Sequence, residues 1–300
     1  MKLNNTNGVV LFIYNDLGVK LLKLIKKKKI KIHLVITHED KKKEKVWYSS
    51  CSEYCKKNKI RFVYYEKTNF NKIYNKLKYL NFDCIFSAYF RKLIPENILQ
   101  LPKNGAINLH CSFLPNYRGR APINWQIING EKYSGGTIHY MNKFADKGNI
   151  IYQKKMIINN KINAYNLQIK INNILIKILN KKVYKIINGI CPSIKQKKKG
   201  SYFGKRKPSD GKISFNVPVQ DVYNLVRGLS YPFPGAFFIK NKKKIIIEKS
   251  QITNIKSSSF KPIYLFLRGN LYLKCIDYYL KVIKININNK QTNKVVKYLN

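Results

Sequence analysis

Short apolar runs alternate with helix-length polar stretches through the first third of the chain, and no other feature constrains the fold as much. Val9 to Tyr14 is a continuous apolar run ending in Asn15-Asp16-Leu17-Gly18, after which a helical pattern runs through Leu21, Leu22 and Leu24. That order reads strand, turn, helix. Similar runs recur at Ile32 to Thr37, Ile60 to Tyr65, Cys84 to Ala88 and Ala106 to His110. The alternation predicts an α/β fold, Rossmann-like, with a mostly parallel sheet and helices on both faces. In such sheets the ligand crevice lies beyond the carboxyl ends of the strands.

From Lys195 to Lys212 the sequence turns into a basic connector bearing Gly and Pro. The expected organisation is an α/β domain over 1–195, a linker over 196–212 and a second domain over 213–300. The second domain holds an amphipathic segment at Val219 to Leu229 and a Pro/Gly turn at Tyr231 to Gly235. Short strands are expected through Phe237, Ile245 to Ile247, Tyr264 to Leu267 and Tyr279 to Ile285. Together they suggest a small OB-like β-barrel. The Asn- and Lys-rich tail from Asn286 is expected to be polar and frayed.

The formal net charge is +45 with a pI near 10, and it has two readings. It is either a footprint for a polyanion or the product of base-composition drift, since Lys, Ile, Asn and Tyr all have A/T-rich codons. Six cysteines show no CxxC pairing, which predicts neither a structural zinc site nor a disulfide framework. Cys51 and Cys55 lie four apart on an expected helix and read as isolated thiols. No run reaches the ~20 apolar residues of a membrane helix, and the amino-terminal residues lack a signal-peptide pattern. A cytoplasmic protein without membrane insertion is expected. No GxGxxG follows the first strand, so no nicotinamide cofactor is implied.

The chemistry concentrates in Gly105 to Trp125 and Gly136 to Gly148. Asn108 and His110 stand two apart at the end of an expected strand, so their side chains share one face. Asp146 follows 36 positions after His110, on a loop beyond a further strand. Acyl transfer to an amine passes through a tetrahedral intermediate, which needs donors for an oxyanion and a group to manage a proton. Asn108 and His110 supply donors. Asp146 beside the imidazole is expected to raise its pKa and fix its tautomer. Cys111 reads as a small buried filler. His38 and His139 lie off the motif and read as ordinary hydrogen-bonders or as neighbours of a ligand.

The frames Asn108-Leu-His-x-Ser-x-Leu-Pro115 and Ala145-Asp-x-Gly148 resemble the folate-dependent formyltransferase family. That family includes methionyl-tRNA, glycinamide-ribonucleotide and sugar-nucleotide formyltransferases. The resemblance implies that Asn108, His110 and Asp146 are catalytic and that 10-formyltetrahydrofolate is the cosubstrate, with no metal. It also implies a folate site along the backbone of Lys92, Leu93 and Ile94 and the loop Asn142, Lys143, Phe144, Ala145 and Asp146.

Within the family, nearly the whole chain resembles the formyltransferase domain of the bifunctional polymyxin-resistance enzymes. The matching stretches include Phe86-Ser-Ala-Tyr-Phe-Arg91, Tyr117 to Trp125, Phe203-Gly-Lys-Arg206 and Pro232 to Phe237. This implies that Arg120 lies in the cofactor site and that the acceptor is the 4-amino group of UDP-4-amino-4-deoxy-L-arabinose, in lipid A modification. A separate decarboxylating dehydrogenase is then an expected partner. The alternative acceptor is initiator methionyl-tRNA. Against it, Lys41 to Trp47 run straight toward a helix without the basic inserted loop that the tRNA enzymes carry after the second strand. A third reading is an inactive, basic RNA-binding module, which the intact Asn108, His110 and Asp146 disfavour.

Overall fold

The computed structural model describes residues 6–40, 46–197, 199–257, 263–287 and 290–292. It begins with strand β1 (Val9–Ile13), helix α1 (Asn15–Lys27), strand β2 (Ile32–Thr37), helix α2 (Cys51–Lys57) and strand β3 (Phe62–Tyr64). Helix α3 (Phe70–Leu77), strand β4 (Cys84–Ala88), helix α4 (Glu96–Leu99) and strand β5 (Ala106–His110) follow. Next come β6 (Arg118–Gly119), α5 (Pro122–Ile128), β7 (Tyr133–Tyr140), β8 (Ile150–Ile157), α6 (Ala164–Ile187) and β9 (Tyr202–Phe203).

Seven strands form one sheet in the order β3-β2-β1-β4-β5-β7-β8. The pairs β1–β2, β2–β3, β1–β4 and β4–β5 are parallel, and β5–β7 is antiparallel. The Rossmann-like, mostly parallel sheet expected from the alternation is therefore present, flanked by helices. β2, β4 and β5 begin and end where the sequence placed them. Both faces of β1 and β4 are buried, which is why they read as unbroken apolar runs rather than as alternating ones. Val10, Phe12, Leu34, Ile36, Ile73, Leu77, Ile85, Ile94 and Ile98 share one core cluster. Local signals set the helix starts: Ser50 accepts from Glu53 N (3.2 Å) and Asn69 from Lys72 N (2.9 Å). The lysine run after Asp40 falls mostly outside the described residues, and the helix beyond it starts at Cys51.

The remaining elements are α7 (Val219–Leu229), β10 (Ala236–Lys240), β11 (Lys243–Lys256), β12 (Tyr264–Leu267), β13 (Asn270–Lys274), β14 (Tyr278–Ile287) and β15 (Lys290–Thr292). They form a six-stranded sheet running β10-β11-β14-β13-β12 with β15 on β14, and its described pairings are antiparallel. Val219, Val222 and Val226 of α7 join Phe238, Ile247, Leu271, Leu280, Val282 and Ile285 in its core. Part of the Asn-rich tail is thus strand, because Ile285 and Ile287 alternate into that core while Asn286 between them faces away.

The chain divides into two compact units that are not contiguous in sequence. The first holds Met1–Gly119, Gly135–Lys155 and Lys170–Tyr202; the second holds Arg120–Ser134, Met156–Ile169 and Phe203–Asn300. In the second unit α5 packs on α7, where Gly228 permits the approach: a Cβ there would press on Ile128 and Ile127. Among the described residues no helix is long and apolar enough to cross a membrane.

Candidate active site

Parallel pairing brings the carboxyl ends of β4 and β5 together, with Ser87 opposite Asn108 and Ala88 opposite Leu109. Along β5, Ile107 and Leu109 are buried on one side, and Asn108 and His110 emerge on the other. The chain then doubles back over this edge. Leu114 N donates to Thr137 Oγ1 (3.2 Å), and Gln153 Nε2 donates to Leu114 O (2.8 Å), fixing the turn that returns Tyr117 to His110.

After β7 a second loop also folds back. Met141 N is bound to Ala106 O at 2.7 Å and Tyr140 N to Asn149 O at 2.8 Å. Gly148 is needed here because a Cβ would overlap the Tyr140 carbonyl. Asp146 itself has φ of 52°, the left-handed region that an aspartate tolerates better than most residues. Gln196 Nε2 donates to Asp146 O (2.9 Å) and to Gly148 O (2.7 Å), gripping the loop from both sides of Lys147.

The three expected residues converge. Asp146 Oδ1 accepts from Asn108 Nδ2 at 3.1 Å, and Oδ2 accepts from Gly119 N at 2.8 Å. His110 Nδ1 lies 3.6 Å from Asp146 Oδ2, beyond hydrogen-bond range. His110 Nε2 is 2.8 Å from Tyr117 O. A carbonyl only accepts, so the ring carries its proton on Nε2, and the Tyr117 carbonyl rather than Asp146 sets the tautomer.

His139 completes the cluster. It is cross-strand to Asn108, its Nδ1 donates to Tyr140 O (2.7 Å), and its Nε2 accepts from Asn108 Nδ2 (3.3 Å). Both protons of the Asn108 amide are thereby engaged.

The electrostatics correct one expectation. Burial pushes the His110 pKa below the ordinary histidine value, and Asp146 only partly offsets this, so the imidazole is neutral. Burial also acts to raise the Asp146 pKa, but its charged and hydrogen-bonded neighbours hold it well below the usual carboxylate range. A neutral His110 lends little charge to that effect. Fixed contacts hold Asp146 ionised: the His139 ring lies 3.4 Å from Oδ1, the Gly119 N–H donates to Oδ2 and Asn108 Nδ2 donates to Oδ1. Cys111 is buried against Tyr89 OH (3.1 Å), and burial pushes its thiol up to about 12, so it stays protonated.

Lys92, Leu93 and Ile94 leave the sheet at the carboxyl end of β4. The Leu93 side chain is 67% exposed, whereas Ile94 belongs to the core, leaving only its backbone to a ligand. Phe144 is 53% exposed, with the Lys143 and Lys147 ammonium groups 5.6 and 5.1 Å from its ring centroid. Asn142 accepts from Phe144 N at 3.0 Å, and Ala145 is half-buried. Arg120 belongs to the second compact unit, where its N–H donates to Phe203 O at 2.8 Å. His139 and Gln196 are the residues that sequence reasoning undervalued. His139 carried a weak signal, standing near the end of the strand that precedes the Asp146 loop; Gln196, inside a lysine run, carried none.

The geometry is matched by clear kinship. Residues 9–182 match the formyl transferase family and residues 205–300 match its C-terminal domain. The bifunctional polymyxin resistance protein ArnA of Wigglesworthia glossinidia brevipalpis is 41% identical over 247 residues, covering 82% of this chain. The alignment spans 38% of that relative's length. Among solved structures, an N-formyltransferase from Helicobacter canadensis, in complex with folinic acid and dTDP-3-aminofucose, superposes with a TM-score of 0.73 at 24% identity. That match covers 91% of this chain and 98% of the other. The sugar 3N-formyltransferase WlaRD, in the presence of dTDP and 5-N-formyl-THF, gives 0.74 at 24% identity, covering 95% and 99%. With both modules of the family present in order along its length, the chain belongs to the formyl transferase family.

Proposed function

We propose that this protein transfers the formyl group of 10-formyltetrahydrofolate to the amine of a sugar nucleotide, the 4-amino group of UDP-4-amino-4-deoxy-L-arabinose. The observation that carries the reading is the buried cluster of Asn108, neutral His110 and ionised Asp146 at the end of β5. The extended likeness to ArnA supports the choice of acceptor. The donor chemistry of the site suits a folate. Exposed Leu93 and Phe144 offer apolar surface for a flat ring, and Lys92, Lys143 and Lys147 offer cations for its carboxylates. When bound, the cosubstrate supplies an electrophilic formyl carbon.

The protein's own residues supply the rest. Asn108 Nδ2 presents a donor toward the formyl oxygen by exchanging its His139 partner for the ligand. His110 Nδ1 and Asp146 Oδ2 face each other with no proton between them. A proton leaving the amine as its nitrogen bonds the formyl carbon closes the pair into a charge-assisted hydrogen bond, and the pair gives that proton up to the folate nitrogen as the bond from it to the formyl carbon breaks. The carboxylate, held ionised by Gly119 N–H, stabilises the resulting imidazolium.

Single-turnover transfer from 10-formyltetrahydrofolate, with the UDP-aminosugar and initiator methionyl-tRNA offered side by side, tests the assignment. Preference for the sugar nucleotide is expected. Preference for the tRNA would overturn the acceptor and make the +45 charge the recognition surface.

A further inference from the structure

His38 follows β2 directly, is 3% exposed and lies in the first unit away from the Asn108 cluster. Its ring stacks on Phe90, with centroids 4.6 Å apart and planes at 25°. Arg91 N donates to His38 Nε2 at 3.0 Å. An amide has only a proton to offer, so Nε2 carries a lone pair and the ring proton sits on Nδ1. Nδ1 is 2.6 Å from Glu66 Oε1, which accepts it, while Glu66 Oε2 accepts from Glu39 N at 3.1 Å. One imidazole thus ties together the chain leaving β2, β3 and β4.

The charged groups facing the ring are Glu66, Arg91 and Lys92, and the rings of Tyr14 and Tyr65 pack against it edge-on. The Arg91 side chain is fixed as well. Its guanidinium lies 4.4 Å from the Tyr14 ring centroid, and the Tyr14 hydroxyl bonds that of Tyr48. Both ends of Arg91 are therefore pinned, and the next three residues are Lys92, Leu93 and Ile94.

We infer that His38 is a positioning residue for the folate segment: its Nε2 lone pair, secured by Glu66, anchors the Arg91 amide and so sets the backbone of Lys92 to Ile94. The inference rests on the proposed folate role of that segment. His38 itself need not touch ligand. Protonating the ring would place an N–H against the Arg91 N–H and break the anchor, and burial opposes this by lowering the His38 pKa.

The test uses His38→Phe, which keeps the stack and removes the acceptor, and His38→Gln, whose Oε1 replaces the lone pair. Folinic acid affinity, kcat at saturating cosubstrate and hydrogen exchange at the Arg91 amide are read for each, with melting curves to establish folding. His38→Phe should weaken folinic acid about tenfold, in line with one lost hydrogen bond. It should speed Arg91 exchange and leave kcat within about twofold. His38→Gln should recover most of the affinity. Its binding should also be flat at acid pH, where the parent protein weakens as His38 takes up a proton. If His38→Phe does not fold, the His38→Gln pH profile and Glu66→Gln, altered at a half-exposed position, carry the same test. A folded His38→Phe with unchanged Arg91 exchange overturns the anchor. Faster exchange with unchanged folinic acid affinity overturns instead the assignment of Lys92 to Ile94 to the folate.

Discussion

Along β5 the residues that emerge at the carboxyl edge are Asn108 and His110, whereas along β14 the inward positions are Leu280, Val282, Ile285 and Ile287. The first sheet gathers a carboxylate, two imidazoles and an amide at one edge. The apolar cluster of the second sheet is aliphatic, aromatic and thiol, and the buried polar groups near it, Asn224, Arg227 and Ser250, are scattered over α7 and β11 rather than gathered at a sheet edge. Burying polar groups costs free energy unless each finds a partner, and burying ionised ones costs more. The second sheet shows what this chain packs where stability alone decides. The first departs from that pattern at the edge where an α/β sheet binds its ligands, which is why the proposed chemistry is placed on its polar cluster.

The largest effects should separate the two regions cleanly. Asn108→Ala, His110→Ala and Asp146→Ala should each lower kcat by ~10²–10⁴ while the protein still folds, as single-turnover formyl transfer and a melting curve would show. Full activity in any folded variant would break the contrast. In the second sheet, Leu271→Ala should do the reverse. It should cost about 2–5 kcal/mol in denaturant unfolding and leave the turnover of folded molecules nearly unchanged.

A smaller effect tests how the cluster is held. Gln196→Ala removes two hydrogen bonds from the main chain around Asp146 and should lower kcat about tenfold, with little change in KM for folate. A loss as large as that of Asp146→Ala would make Gln196 part of the chemistry.

The smallest is a pH slope. His110 and His38 have folded pKa values below their unfolded ones, so acid protonates the unfolded chain first. Their stabilising contribution is present above the ordinary histidine pKa and is lost as pH falls from there toward the folded values. Asp146, also lowered, adds a loss that begins below the ordinary aspartate pKa. Unfolding free energy measured across this range should fall toward acid, and His110→Asn should flatten the upper part of the curve. An unchanged slope would mean that His110 takes up its proton alike in the folded and unfolded chains.

What the sequence made legible follows from distance along the chain. Asn108 and His110 share a face because strands alternate, a rule that acts over two residues. The approach of Asp146 depends on a loop that reverses direction through a left-handed residue and a glycine with no room for a Cβ. No periodicity announces it: the intervening strand and loop allowed the meeting, and the family motif made it specific. That burial outweighs Asp146 in setting the His110 pKa was not legible, because proximity to a carboxylate is visible in spacing, whereas the depth of burial is not. Gln196 acts across 50 positions, and its neighbours gave it the look of solvated linker. β13, absent from the expected strands, is a short run paired between β12 and β14 whose register is set by tertiary contacts.

The interleaving of the two units bears on how the protein is made. α5 packs against α7, and Asn124 Nδ2 reaches Gly228 O across 104 positions. At ~5–20 residues per second on the ribosome, Ile127 and Ile128 emerge about 5 to 20 s before the helix that packs on them. For that interval the face of α5 that α7 will bury waits without its partner, so the second unit closes only after most of the chain has been made.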